Sequence, residues 1–112
     1  MVINIAKEYT KTPGGRYIRE GKFSGEDFRI RMLEPIYKEA KANKEQLTVI
    51  LDGGYGYGSS FLEEAFGGLV RSLKDPQISE IVIVSEEEPK LINDINSYIT
   101  DELQKCEEKV WK

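Results

Sequence analysis

Two short runs of β-branched and aliphatic residues, Leu47-Thr48-Val49-Ile50-Leu51 and Ile81-Val82-Ile83-Val84, are separated by a stretch of helical periodicity. Each run is too short for a helix and suits a strand buried on both faces. Between them Phe61, Leu62, Ala65, Phe66, Leu69, Val70 and Leu73 recur at the spacing of one helix face. A strand–helix–strand order of this kind argues for a largely parallel sheet with helical cover. The same alternation extends outward. Val2–Ala6 reads as a first strand, and Phe28, Met32, Ile36 and Ala40, with Leu33 and Tyr37 beside them, as a helical stripe. Leu91, Ile92, Ile95, Tyr98, Ile99 and Leu103 read as the face of a last helix, whose tail is expected to fray. Residues 17–23 are expected to add a short edge strand or a small hairpin. The expected architecture is one α/β domain over residues 1–112, with a mostly parallel or mixed four-stranded sheet under about three helices.

Punctuation signals refine these elements. Ser24 with Asp27 reads as a variant capping box, and Ser60 with Glu63 as a second one. Pro35 falls inside a helical stripe, where its missing donor predicts a kink or two shorter pieces. Asp75-Pro76 ends the central helix, and Pro89 suits the first turn of the last. Gly67-Gly68 lies mid-helix, where each glycine costs about 1 kcal/mol relative to alanine. Close packing against the sheet or a neighbouring helix, or the approach of a partner protein, is expected to offset that cost.

Composition narrows the chemistry. The 112 residues contain no histidine and one cysteine, Cys106. Ser-His-Asp and Cys-His nucleophile pairs are therefore impossible within the chain, and a zinc site lacks ligands. A magnesium site built from carboxylates remains open. No enzymatic activity, cofactor or metal is expected. The net charge of −4 divides into +3 over residues 1–31, −1 over 32–74 and −6 over 75–112. So small a basic excess is a poor basis for specific nucleic-acid binding. No run approaches the length of a membrane span, residues 1–6 do not read as a secretory leader, and the lone cysteine fits a reducing cytoplasm.

The segment richest in functional signals is Asp52-Gly53-Gly54-Tyr55-Gly56-Tyr57-Gly58-Ser59-Ser60, which joins the central strand to a helix. Sites in open α/β sheets lie at the carboxyl ends of strands. Glycine amides together with a helix N-terminus can cradle an anion. Gly53 to Ser60 matches the glycine spacing of a phosphate-binding P-loop but has Ser59 where the lysine must stand. The dinucleotide fingerprint fits only with Ser59 in place of its last glycine. What survives is an anion site made by Gly54, Gly56 and the 14–16 loop, with Gly14, Gly15 and the guanidinium of Arg16. Tyr55 and Tyr57 read either as rings folded over the sheet end or as exposed anchors for a protein partner. Asp52 reads as a residue that fixes the turn through side-chain-to-backbone bonds, and Glu63 and Glu64 complete a set of nearby carboxylates.

Three blocks carry a family resemblance: Thr12-Pro13-Gly14-Gly15-Arg16-Tyr17, Ser24-Gly25-Glu26-x-Phe28-Arg29, and the long run from Leu51 to Leu69. With these the chain resembles the STAS-like domain family of unknown function, distantly similar to the STAS domains of anti-sigma-factor antagonists. Those relatives carry Asp-Ser-Ser-Gly at the start of a helix, and the first serine is phosphorylated by a kinase that also sequesters a sigma factor. The matching positions here are Gly58, Ser59, Ser60 and Phe61, so Gly58 replaces the aspartate and Phe61 the glycine. The resemblance implies a cytoplasmic regulatory module, partnered by a histidine-kinase-like ATPase or similar regulator. Its surface would comprise Tyr55, Tyr57, Gly58, Ser59, Ser60 and Phe61, with Ser59 as the switch. The alternative is a small-ligand sensor that binds a nucleotide or other anion at the 53–60 turn with Arg16.

Overall fold

A computed structural model describes residues 1–110. Strands β1 (Val2–Asn4), β2 (Thr48–Ile50) and β3 (Val82–Val84) form one parallel sheet in the order β1-β2-β3. The register sets Ile3, Val49 and Ile83 in one row, and all three are buried. The helices number four rather than about three: α1 (Ile5–Glu8), which takes in the last two residues of the expected first strand, α2 over 25–42, α3 over 59–73 and α4 (Lys90–Val110). Right-handed crossovers between sequential parallel strands place the connecting helices on one face of the sheet. The alternating burial agrees. On the opposite face Val2 is 61 % exposed, Val82 is exposed, and Asn4, Thr48, Ile50 and Val84 are half-buried. The expectation of strands buried on both faces is therefore corrected: this is a two-layer domain whose core lies between one sheet face and the helices.

The sheet also has three strands rather than four. Residues 17–23 form no strand. Ile18–Glu20 is one 3-10 turn, and the segment closes on itself. The Gly14 amide donates to the Phe23 carbonyl at 2.9 Å, and the Gly25 and Glu26 amides donate to the carbonyls of Gly15 and Arg16. Within the segment the Tyr17 and Ile18 carbonyls accept the Glu20 and Gly21 amides, and the Tyr17 and Ile18 amides donate to the Glu20 and Glu26 carboxylates, so the groups that a ladder would need are already used. Strand β1 stops at Asn4 because Asn4 caps α1: its Oδ1 accepts the Lys7 amide while its own amide donates to Glu8 Oε2. Helix α4 continues through Val110, and the fraying expected of the tail falls on residues outside those described.

Helix α2 starts as the sequence predicts, with Ser24 Oγ accepting the Asp27 amide at 3.0 Å. It then runs through Pro35. A π turn over Arg29–Leu33, closed by the Glu34 amide on the Arg29 carbonyl, immediately precedes the proline. The wider turn accommodates a residue that can neither donate nor tolerate the ring clash of a regular helix. A second π turn, Glu63–Gly67, interrupts α3. The Ser60–Glu63 capping box does not form. Gly58 is the N-cap without a side-chain acceptor, Ser60 lies inside the helix, and Glu63 faces arginines instead.

Candidate functional site

The 52–58 turn is held from both sides. The Asp52 carboxylate accepts the amides of Glu86 and Glu87 at 3.0 and 2.9 Å, and Glu87 Oε1 accepts the Gly53 amide at 2.9 Å. These bonds couple the loop after β2 to the loop after β3. On the other side the Tyr55 amide donates to the Lys11 carbonyl at 2.9 Å. A Cβ on Gly54 would stand 3.1 Å from that carbonyl, so only glycine permits the approach without displacement. Gly53 and Gly56 hold positive φ of 100° and 117°, which glycine adopts at little cost. Asp52 thus fixes the turn as its residue type suggested, although its partners lie on a neighbouring loop that local reading does not reach.

The two tyrosines have different fates. The Tyr57 hydroxyl donates to the Leu51 carbonyl at 3.0 Å, and its ring lies 5.8 Å from that of Phe61. Burial pushes the hydroxyl up to about 12, with the charges of Asp52 and Glu87 adding to the shift, so it remains a donor. Tyr55 points outward and is 83 % exposed. Ser59 and Ser60 are exposed on the first turn of α3, whereas Phe61 is fully buried and stacks on Phe28 at 5.9 Å. Phe61 is corrected from a contact residue to core, whereas Tyr57 is half-buried, with its ring packed against the core. Tyr55, Gly58, Ser59 and Ser60 remain the accessible members of that set.

Between the 52–57 turn and residues 85–91 lies a cleft of about 270 Å³ at the carboxyl ends of β2 and β3. Its lining carries Asp52, Glu87 and Glu88 and no cation. The anion-binding set does not assemble there. The Gly14 amide is taken by Phe23, and the Arg16 guanidinium pairs with Glu63 and lies 3.6 Å from Glu64.

That pairing belongs to a charged cluster built on the two π turns. Glu63 also accepts from Arg71 at 2.7 and 3.1 Å, and Arg71 reaches Glu102 of α4 at 2.9 Å. The buried Glu64 accepts from Arg29 at 3.3 Å and from Arg71 at 3.4 Å, and Arg29 also pairs with Glu34. The network joins the 14–16 loop, α2, α3 and α4. It also explains Gly67 and Gly68. A Cβ on Gly67 would collide with the Glu63 carboxylate, and one on Gly68 would stand 2.8 Å from Arg29 Nε. The glycines make room for ion pairs rather than for the sheet or a partner. Hydrogen bonding from Arg71 holds the Glu63 carboxyl below its ordinary range against the opposing effect of burial, and Arg16 adds to it. Sequence reading missed Arg71 and Glu102. The one signal available was two adjacent mid-helix glycines flanked by charges at helical spacing.

Among the described residues no helix is long and apolar enough to cross a membrane, and no group of three or more Asp, Glu or Cys side chains is placed to hold a metal. No curated protein and no solved structure matches the chain. A family model does match, over residues 24–91, which span α2, β2, the glycine turn, α3 and β3. By that match, and with the parallel α/β architecture just described, the chain belongs to the STAS-like domain family of unknown function (DUF4325).

Proposed function

We propose that the domain is a non-catalytic, cytoplasmic regulatory module that binds a protein partner through the 53–60 turn, with Tyr55 as anchor and Ser59 as a charge switch. The observation that carries this reading is a large aromatic ring, 83 % exposed, on a turn bonded to both neighbouring loops. A ring presented on a rigid support meets a partner without the ordering cost of a mobile loop, and tyrosine is enriched among binding hot spots. Ser59 and Ser60 open α3 behind a glycine N-cap, so the first amides of the helix have no side-chain acceptor from the cap. A phosphate on Ser59 would be tolerated at that positive helix end and would repel an acidic or apolar partner surface. By family resemblance the partner is a histidine-kinase-like ATPase or similar regulator. The ligand-sensor alternative loses support because Arg16 is committed to glutamates.

Affinity capture from native lysate tests the reading, with wild type, Tyr55→Ala and Ser59→Asp as parallel baits of verified fold. The expected result is a partner retained by wild type and lost from Tyr55→Ala, with Ser59→Asp weakening the same complex. Equal capture by all three would remove this turn as the binding surface.

A further inference from the structure

Four of the seven large apolar side chains exposed among the described residues fall within one short stretch: Tyr17, Ile18, Phe23 and Ile30. Ile18 is 51 % exposed and Phe23 40 %. Together with Gly21, Lys22, Asp27 and Arg31, these two line an open groove of about 430 Å³.

Phe23 is the informative residue. Its φ of 58° lies in the left-handed region, which a bulky side chain rarely occupies. The cause is local. The Phe23 carbonyl accepts the Gly14 amide, and the 22–23 backbone runs so close to Gly14 that any Cβ there would collide with the Lys22 carbonyl. Glycine or asparagine would meet the same dihedral with less strain. The phenylalanine ring makes an edge contact with Tyr9 at 5.6 Å and remains 40 % exposed. Strain kept where the core gains little from it points to function.

The charges of the stretch are sorted. Its carboxylates are engaged by the protein: the exposed Glu20 accepts the amides of Arg16 and Tyr17, Glu26 that of Ile18, and Asp27, which lines the groove, the Tyr9 hydroxyl. Its cations face outward. Arg31 is largely exposed, with Asp27 at 3.6 Å, and Arg19 lies over the Tyr17 ring. Among the described residues Lys22 makes no ion pair.

From this juxtaposition we propose that the 17–31 surface docks an acidic segment of a partner protein, whose apolar side chains enter the groove between Ile18 and Phe23 while its carboxylates meet Lys22, Arg31 and Arg19. The occupant is a separate protein. A second copy offering its acidic end to this basic one would make a head-to-tail contact that need not close. The surface is distinct from the 53–60 turn, so either can fail without the other.

The test is selection of random peptides of about 16 residues, displayed on phage, against the immobilised full chain, with the winners resynthesised and titrated by fluorescence anisotropy. Enriched sequences are expected to combine Asp or Glu with Phe, Leu or Trp. Their affinity should fall at least about tenfold in Phe23→Gly and in Lys22→Glu/Arg31→Glu, and weaken with added salt. Phe23→Gly accepts the positive φ and is expected to keep the fold. Ile18→Ser, at an exposed position, serves as the second variant if it does not. No enrichment, enrichment of basic peptides, or affinity unchanged in both apolar variants would overturn the proposal. So would self-association in sedimentation that disappears in Phe23→Gly, which would assign the face to a second copy.

Discussion

Replacing Gly68 by alanine sets helix propensity against the charged cluster. In a mid-helix position the exchange is expected to stabilise by about 1 kcal/mol. Here the added Cβ would stand 2.8 Å from Arg29 Nε, 3.1 Å from its Cδ and 3.2 Å from Glu64 Oε2. Arg29 cannot move aside freely, because its head group is bonded to Glu34 and Glu64 and its Nε is already buried without a partner. Displacing it loses at least one charge-assisted hydrogen bond, worth about 1.5–3 kcal/mol, and adds repulsive contact. After the propensity gain, the expected net loss is about 2 kcal/mol. For a domain of this size that corresponds to a fall in Tm of roughly 8 °C. The assay is thermal and urea unfolding followed by circular dichroism. The same exchange in an Arg29→Ala background removes the obstacle, and there Gly68→Ala should stabilise by about 1 kcal/mol, a coupling of about 3 kcal/mol. A Tm that rises with Gly68→Ala in the otherwise unaltered chain would refute the claim that this glycine exists to seat Arg29.

Glu63 links the same cluster to pH. Its folded carboxyl titrates below the ordinary glutamate value, so its stabilising contribution is present above about pH 4.3 and is lost as pH falls through the depressed folded value. The stability gap between wild type and Glu63→Gln in urea titrations should stay level from neutral pH to mildly acidic pH and close below it. A gap that persists at lower pH would show that charge is not its source. Tyr57→Phe removes the hydroxyl bonded to the Leu51 carbonyl and should cost about 1 kcal/mol, with faster amide exchange across residues 52–56. Unchanged exchange there would mean that Asp52 and Glu87 hold the turn unaided.

Much of the frame can be read along the chain. The runs at 47–51 and 81–84 locate β2 and β3, the periodic stripes locate α2, α3 and α4, and Ser24 marks the start of α2. Local patterning suffices for these because periodicity and capping are properties of neighbouring residues. The same evidence misleads where a long-range partner intervenes. Tyr17–Phe23 has strand-like residues, yet its backbone groups bond within the segment, to Gly14 and to the Glu26 carboxylate. Ser60 and Glu63 have capping-box spacing, yet Arg16 and Arg71 draw Glu63 away. Phe61 lies in the run that the family resemblance marks as a contact surface, yet it is fully buried against Phe28.

By itself, then, the sequence determined the order of the three strands and the three longer helices, a largely parallel sheet and the glycine turn at the end of β2. Each follows from residue spacing, backbone sterics and crossover handedness. Only the tertiary structure decided that one sheet face stays open, that α2 and α3 widen into facing π turns, and that Tyr55 stands in solvent while Tyr57 is half-buried against the core. The physical reason is that a charged or aromatic side chain settles by the partners available to it. Those partners, Arg16 for Glu63, Glu87 for Gly53 and Gly14 for Phe23, come from segments that only folding brings together.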